Sequence, residues 1–522
     1  MNATSDVIIV GSGPAGVMSA WGLRGRSVQM LDVGHTPPAA PRLNENLYRM
    51  RAQRDLTAAF IGEHFEGLRN LRGRPISAKL KAPGMDFITR DWQALTGLAS
   101  ESFQPVISLA YGGFGNAWGA GVYRFTARDL EGFPLRPEDL SPYYDAVSRH
   151  IGISGAVDDM EADFGHEPSL DAPLRLSRNC ARMLHVYGSR RTELNRSGVR
   201  LGRSRLAVIT QPREGREPYQ YRALEFAQPG DPAVYNPALT LNELRREQAV
   251  AYEPGWIVER FCETESCVEV EARRPSGETA VFKAQRLVLA AGALNSARIA
   301  LASAGDYESR LPLLDNPMTV LPVIHPSSFG SALDPSDSCL AQLNMVLETR
   351  GHTYQASLYG LNGAPVAEFL SRLPFSLRDN LALLKHLLPA LSITMLFYPA
   401  EPSPAQYLRL RPDGVLDAAY AWRPDPSITT ELVRIMRRLG GWTVAQLAQH
   451  PAPGNGIHYA GTLPMRAKPA RHELYADGRL EGTSRVYVTD GSAFPRLPAK
   501  NLTYTIMANA LRVADGIRKG LG

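Results

Sequence analysis

Val7-Ile8-Ile9-Val10-Gly11-Ser12-Gly13-Pro14-Ala15-Gly16 carries an apolar, β-branched run straight into a GxGxxG turn. The run reads as a buried parallel strand, and Ala15 to Leu23 reads as a helix whose N-terminal amides face the turn. Gly11 permits the tight turn, Gly13 lets a phosphate approach, and Gly16 lets the helix pack on the strand. Ser27 to Leu31 supplies the next strand, ending at Asp32, about 20 residues on, where a carboxylate can meet a ribose hydroxyl. Strand, turn, helix and acid in register predict a dinucleotide site, with Gly11, Gly13, Ala15, Gly16 and Asp32 as candidate contacts. The motif alone does not separate FAD from NAD.

A chain of 522 residues exceeds one ordinary core, which predicts two large units, or one interrupted by another. The net charge of +5 comes from scattered Lys and Arg without a basic run, so no nucleic-acid partner is expected. Cys180, Cys262, Cys267 and Cys339 have neither CxxC spacing nor the density of a secreted scaffold, which suits reduced thiols. The first strand begins by about residue 6, too early for an export leader, and a cytoplasmic location is expected. No metal-binding helix, P-loop or GxSxG elbow is present, and no metal is expected. The longest apolar tract, Leu381 to Tyr398, contains Lys385, His386 and Pro389 and fails as a membrane span. It divides into a helix ended by Pro389 and a strand from Leu391 to Tyr398.

The Pro-rich stretch Thr36 to Pro41 closes the first βαβ unit, and the polar, Arg-rich segment to about residue 100 reads as a surface excursion. A glycine-dense loop follows, Tyr111-Gly112-Gly113-Phe114-Gly115-Asn116-Ala117-Trp118-Gly119, in which backbone must approach something closely. Arg136 to Gly152 reads as a helix with Pro142 near its start. Strands are predicted at Trp256 to Phe261, Val268 to Arg273, Ala280 to Phe282 and Arg286 to Ala290. The last runs into Ala291-Gly292-Ala293, a second small-residue turn where a ligand can come close. Residues from about 310 to 450 mix strands with amphipathic helices, as a separate sheet unit would. The final segment returns to the first style, with a strand from Arg485 to Thr489, then Asp490-Gly491, then a helix striped by Ile506, Ala510, Val513 and Ile517.

His458 lies among glycines and small residues in Gly456 to Thr462, and Asn501 lies just before the closing helix. Taken singly, they read first as a satisfied loop histidine and a helix N-cap. The combined blocks are more specific. Gly11 to Gly16, Leu289 to Arg298, His458 to Met465, and Val488 to Pro495 through Asn501 to Thr505 resemble the glucose–methanol–choline (GMC) oxidoreductase family, in that family's order across nearly the whole chain.

The resemblance implies an α/β fold. A Rossmann-like, interrupted FAD domain would comprise residues 1–45, 100–160, 240–305 and 455–522. A substrate domain on an antiparallel sheet would comprise 46–99, 161–239 and 306–454. It implies His458 as base and Asn501 as the donor that holds the alcohol oxygen, with the carbinol hydride passing to flavin N5. Asp490, Gly491 and Thr503 resemble contacts along the pyrophosphate, ribityl and ring parts of FAD, and Val258 resembles the backbone contact to adenine. Gly112, Gly113 and Asn116 resemble the loop passing the flavin, and Gly292 belongs to the second turn. Asn116 stands near where some pyranose-oxidising relatives carry a flavin-linking histidine, so noncovalent FAD is expected. The partners implied are a small-molecule alcohol and an electron acceptor, oxygen or another carrier. The glycine loop points to a sugar, glycoside or polyol hydroxyl, whereas the apolar tract points to a hydrophobic alcohol. A non-redox, FAD-binding lyase of the same fold is a third reading.

Overall fold

Ser5–Val10 pairs in parallel with Val28–Asp32 on one side and Thr279–Leu289 on the other, and its Val7, Ile8 and Ile9 are completely buried. Burial on both faces explains why this strand is a continuous apolar run rather than an alternating one. In the computed structural model, which describes residues 4–39, 43–65, 77–229, 231–361 and 373–521, these strands belong to a seven-stranded sheet. Ala251–Pro254 extends it beyond Val28–Asp32, and Val486–Val488 adds a parallel strand on Thr279–Leu289. Val268–Arg273 and Ile257–Glu263 complete it antiparallel.

The first and last segments of the chain share one core, which contains both Val7 and Ile517. Helices Pro14–Gly22 and Thr503–Gly520 pack face to face. A Cβ on Gly22 would stand 2.8 Å from Leu511 Cδ1 and 2.9 Å from Ala514 Cβ, so a bare backbone is needed at that crossing. The expected stripe on the closing helix is broader than four residues, because Met507, Leu511 and Ala514 are buried too.

A five-stranded antiparallel sheet runs in the order Met318–Ile324, Leu391–Phe397, His352–Gly360, Ala341–Thr349, Val199–Arg203. Alternation gives it two unlike faces. Leu343, Met345, Leu347, Ala356 and Leu358 pack in one apolar cluster with side chains of helices Arg178–Arg196 and Pro426–Arg438. The opposite face carries Asn344, Gln355 and Ser357, bonded to one another. A smaller sheet joins Leu98–Ala99, Leu416–Tyr420, Gln406–Leu410 and Leu311–Pro312.

Three local readings need correction. The segment before residue 100 is not merely a surface excursion, since Leu80, Met85, Phe87 and Ile88 form a buried cluster with Ala110 under the glycine loop. Ala280 to Phe282 and Arg286 to Ala290 are one strand, Thr279–Leu289, whose exposed first half alternates and whose buried second half does not. Pro137, not Pro142, occupies the helix start, and Pro142 stands inside Pro137–Ile151. The tract from Leu381 divides as expected, into helix Leu377–Leu387 and strand Leu391–Phe397. Ala40 and Pro41 of the Pro-rich stretch and residues 66–76 of the excursion lie outside the described residues. Among the described residues no helix is long and apolar enough to cross a membrane, and all four cysteines are free.

Candidate functional site

A cleft of about 1250 Å³ opens at the carboxyl ends of the parallel strands, the edge where open α/β sheets bind ligands. Gly11, Gly13, Ala15 and Asp32 line it from the first βαβ unit, and Gly113 lines it from the glycine loop. Val258, Gly292, Asp490, Gly491 and Thr503 complete the set. Gly16, Gly112 and Asn116 do not face it. Gly16 lies beneath the turn, where a Cβ would stand 1.9 Å from Gly11 O. Gly112 donates its N–H to Ser12 Oγ at 3.0 Å. Asn116 braces its own loop, donating to Tyr111 O at 2.9 Å and Gly113 O at 2.8 Å, and it faces a separate cavity of about 890 Å³ beside Trp118 and Asn236.

The cleft suits a pyrophosphate-bearing dinucleotide. Gly13 is the N-cap of helix Pro14–Gly22 and no side chain caps that end, so its first amides are not claimed by one. A Cβ on Gly13 would meet nothing within 4 Å, and neither would one on Gly292 at the second turn. Gly11, at φ +97°, is left-handed and its Cβ would press on Ala290 O at 2.7 Å. Asp32 accepts hydrogen bonds from Ser12 Oγ and from Tyr252 OH, the latter at 3.0 Å. Burial pushes its carboxyl up to about 6, partly opposed by those two donors. Asp490 fastens the walls together: Oδ2 accepts from Gly292 N at 2.9 Å and Ser296 Oγ at 2.5 Å, while Oδ1 accepts from Ser492 N at 2.9 Å.

A chain of contacts leads from His458 to the neighbourhood of Asn501, although 42 residues separate them in sequence. Phe397 stacks on the His458 ring, with centroids 5.1 Å apart and planes at 30°. Gln355 is the cross-strand partner of Phe397, and its Nε2 donates to Asn344 Oδ1 at 3.1 Å. Asn344 Nδ2 donates to Tyr123 OH at 2.7 Å. A Cβ on Gly121 would lie 3.1 Å from that Tyr123 hydroxyl and 2.9 Å from Asn501 Nδ2. The closing helix is capped at Leu502, not at Asn501, so the N-cap reading fails, and Asn501 Oδ1 is buried without a partner. Gln355 Oε1 is likewise buried and unpartnered. His458 differs from expectation in its proton affinity. Burial pulls its pKa down to about 4, below the near-neutral value expected of a loop histidine.

Sequence reasoning missed the residues that hold this pair. Asn316 Oδ1 meets His458 Nδ1 at 3.1 Å. Asp315 Oδ2 accepts from Gly454 N at 2.6 Å and so pins the loop that leads to the histidine. Lys500, beside Asn501, is buried on Asp129 and also donates to Arg124 O at 3.4 Å. Arg124 in turn holds Glu167 at 2.9 Å, and Tyr504 OH donates to Glu167 at 3.0 Å. The only sequence signal is punctuation, a polar Asp-Asn pair before Pro317 and a lone Lys in an apolar segment. Lys500→Met leaves Asp129 buried without its cation and is expected to lower unfolding stability by about 3–5 kcal/mol. Denaturant unfolding checks this, and a loss under about 1 kcal/mol would show that Asp129 finds another partner.

Residues 429–510 match the C-terminal family model described as GMC oxidoreductase. Over 116 residues, 21% of this chain and 21% of the relative, the sequence is 31% identical to 6'''-hydroxyparomomycin C oxidase of Streptomyces lividus. Over 112 residues, 20% of each chain, it is 31% identical to paromamine 6'-oxidase of Streptomyces fradiae. These matches thus span about a fifth of the curated relatives' length. The crystal structure of pyridoxine 4-oxidase from Mesorbium loti superposes with a TM-score of 0.58 at 14% identity, covering 98% of this chain and 99% of that one. At that identity the likeness is one of fold.

Proposed function

We propose that this chain, a member of the GMC oxidoreductase family, oxidises a hydroxyl of a sugar-, glycoside- or polyol-like substrate to the carbonyl, using noncovalently bound FAD. The interrupted domain plan set out from the sequence belongs to this reading, with the FAD domain built on the seven-stranded sheet and the substrate domain on the antiparallel one. FAD supplies the hydride acceptor. The cleft from Gly13 to Thr503 would hold it, and Asp32 would accept from its ribose. Oxygen or another carrier takes the electrons onward.

The chain's own residues manage the proton and the alcohol oxygen. His458, uncharged at neutral pH, takes the hydroxyl proton as the hydride departs. The Asn501 amide holds the oxygen, so that charge developing on it is stabilised by a fixed dipole. The observation that carries the substrate class is the buried polar cluster that links the surroundings of these two residues. Asn344, Gln355, Ser357 and Tyr123 form it, and it leaves Gln355 Oε1 and Asn501 Oδ1 without donors. Unpaired buried acceptors cost about 1–3 kcal/mol each, a penalty that a hydroxyl-rich substrate removes and an aliphatic alcohol does not. The names of the two Streptomyces relatives, oxidases of amino sugars, agree with this class.

Anaerobic mixing with a panel of sugars, aminocyclitol glycosides, polyols and aliphatic or aryl alcohols tests the proposal through bleaching of the flavin band. Reduction by the hydroxyl-rich members is expected. Reduction by aliphatic or aryl alcohols alone would replace the substrate class, and conversion without bleaching would favour the lyase reading. With the active substrate, the reductive step should stay flat from about pH 8 down to pH 6. It should fall only as pH drops through about 4, where His458 gains its proton. An inflection near 6.5 would show a base with ordinary histidine affinity. The same depressed pKa makes His458 stabilise the fold above pH 6.5, a contribution lost as pH falls through 4.

A further inference from the structure

Asn316 is completely buried and makes three hydrogen bonds with different partners. Its Nδ2 donates to Tyr398 O at 2.7 Å and to Pro498 O at 3.2 Å. Both acceptors are backbone carbonyls, which can only accept. Turning the amide over would set Oδ1 against two oxygens and leave two buried carbonyls without donors. The orientation is therefore fixed by chemistry, and Oδ1 must be the atom that meets His458 Nδ1 at 3.1 Å. An amide oxygen accepts, so Nδ1 must carry the hydrogen. In the neutral ring the lone pair is then on Nε2, which has no hydrogen-bond partner among the described residues. Flipping the ring would bring a carbon to Oδ1 and lose the bond, and the Phe397 stack restrains its plane.

Resting on the oxidase reading above, we infer that Asn316 is a positioning residue that locks His458 in its Nδ1–H tautomer and presents Nε2 as the atom that takes the substrate's proton. The same amide ties two remote segments together. Pro498, whose carbonyl it holds, is three residues before Asn501, so one side chain sets the register of the proton acceptor against the oxygen holder. Replacing Asn316 by an isosteric leucine removes all three bonds without opening a cavity. The tautomer is then free, and a ring that carries its hydrogen on Nε2 cannot take a proton there.

The test is nitrogen-15 NMR of histidine-labelled, FAD-loaded protein without substrate at neutral pH, with His458 assigned by its absence from the His458→Ala spectrum. A pyrrole-like Nδ1 and a pyridine-like Nε2 are expected in the native protein. The opposite pattern would overturn the inference whether or not any variant folds. Asn316→Leu should shift or mix the two signals while FAD content stays near native, and flavin reduction should slow at least about 10-fold with KM nearly unchanged. An unchanged His458 spectrum in a folded Asn316→Leu protein would assign Asn316 a packing role only. Because the spectrum needs no alcohol, a correct tautomer combined with no reduction by any alcohol would refute the oxidase reading and leave the tautomer assignment standing.

Discussion

His458→Ala is expected to slow anaerobic flavin reduction by about 10²- to 10⁴-fold while FAD stays bound. The side chain does not line the dinucleotide cleft, although its neighbours Ile457 and Tyr459 do, so truncating it leaves the cofactor's walls intact. On the proposed reading, what is lost is the proton acceptor and, with it, stabilisation of charge on the alcohol oxygen. Asn501→Ala is expected to slow the same step, because the oxygen loses its holder and the hydride its alignment. The double variant should lose less than the product of the two effects, since both act on one oxygen. Rapid mixing isolates this step from reoxidation. Near-native reduction by His458→Ala, with a substrate that turns over, would leave the histidine as a stacked wall residue beside Phe397.

Local pattern made the cleft at the sheet's carboxyl edge legible, because its turns are built by backbone. A turn that must bend, approach and pack within six residues has few solutions, and Gly11, Gly13 and Gly16 display one of them. Each has a different neighbour in space, namely Ala290, open cleft and Gly11 itself. Asp490 was legible for a related reason, although the fold uses its two oxygens to fasten the cleft walls as well as to line the cleft. The pair proposed for catalysis, His458 and Asn501, was legible only through resemblance. A histidine in a glycine-rich loop has no periodicity, and the side chains that meet its ring, Phe397 by stacking and Asn316 by its amide oxygen, are 61 and 142 residues away. No local rule links such positions, since their proximity is created by packing of the antiparallel sheet. The depressed pKa of His458 likewise arises from burial, which a loop's composition does not reveal. The same limit explains the segment before residue 100, where Phe87 and Ile88 are buried by a loop from elsewhere rather than by a face of their own helix.

Gly13→Leu should yield a folded protein that has lost its FAD. The backbone there is at φ −67° and ψ −176°, which any residue adopts, and the added Cβ meets no protein atom within 4 Å. The fold therefore pays little, about 1 kcal/mol for a poorer helix N-cap. The side chain, however, points into the space where a pyrophosphate would meet the unclaimed amides of the first turn. Flavin content below about a tenth of native, with a nearly unchanged unfolding midpoint, is the expected result, because excluded volume at a phosphate cradle cannot be relieved by a shift of the ligand. Gly16→Ala provides the contrast. Its Cβ would stand 1.9 Å from Gly11 O, so the turn itself must break, and stability and cofactor should be lost together. In the native protein, heat or acid precipitation should release all of the flavin into solution, since Asn116 offers no attachment atom. Flavin held in the pellet would overturn the noncovalent reading. A yellow Gly13→Leu protein with full flavin content would move the cofactor's phosphates away from this turn altogether.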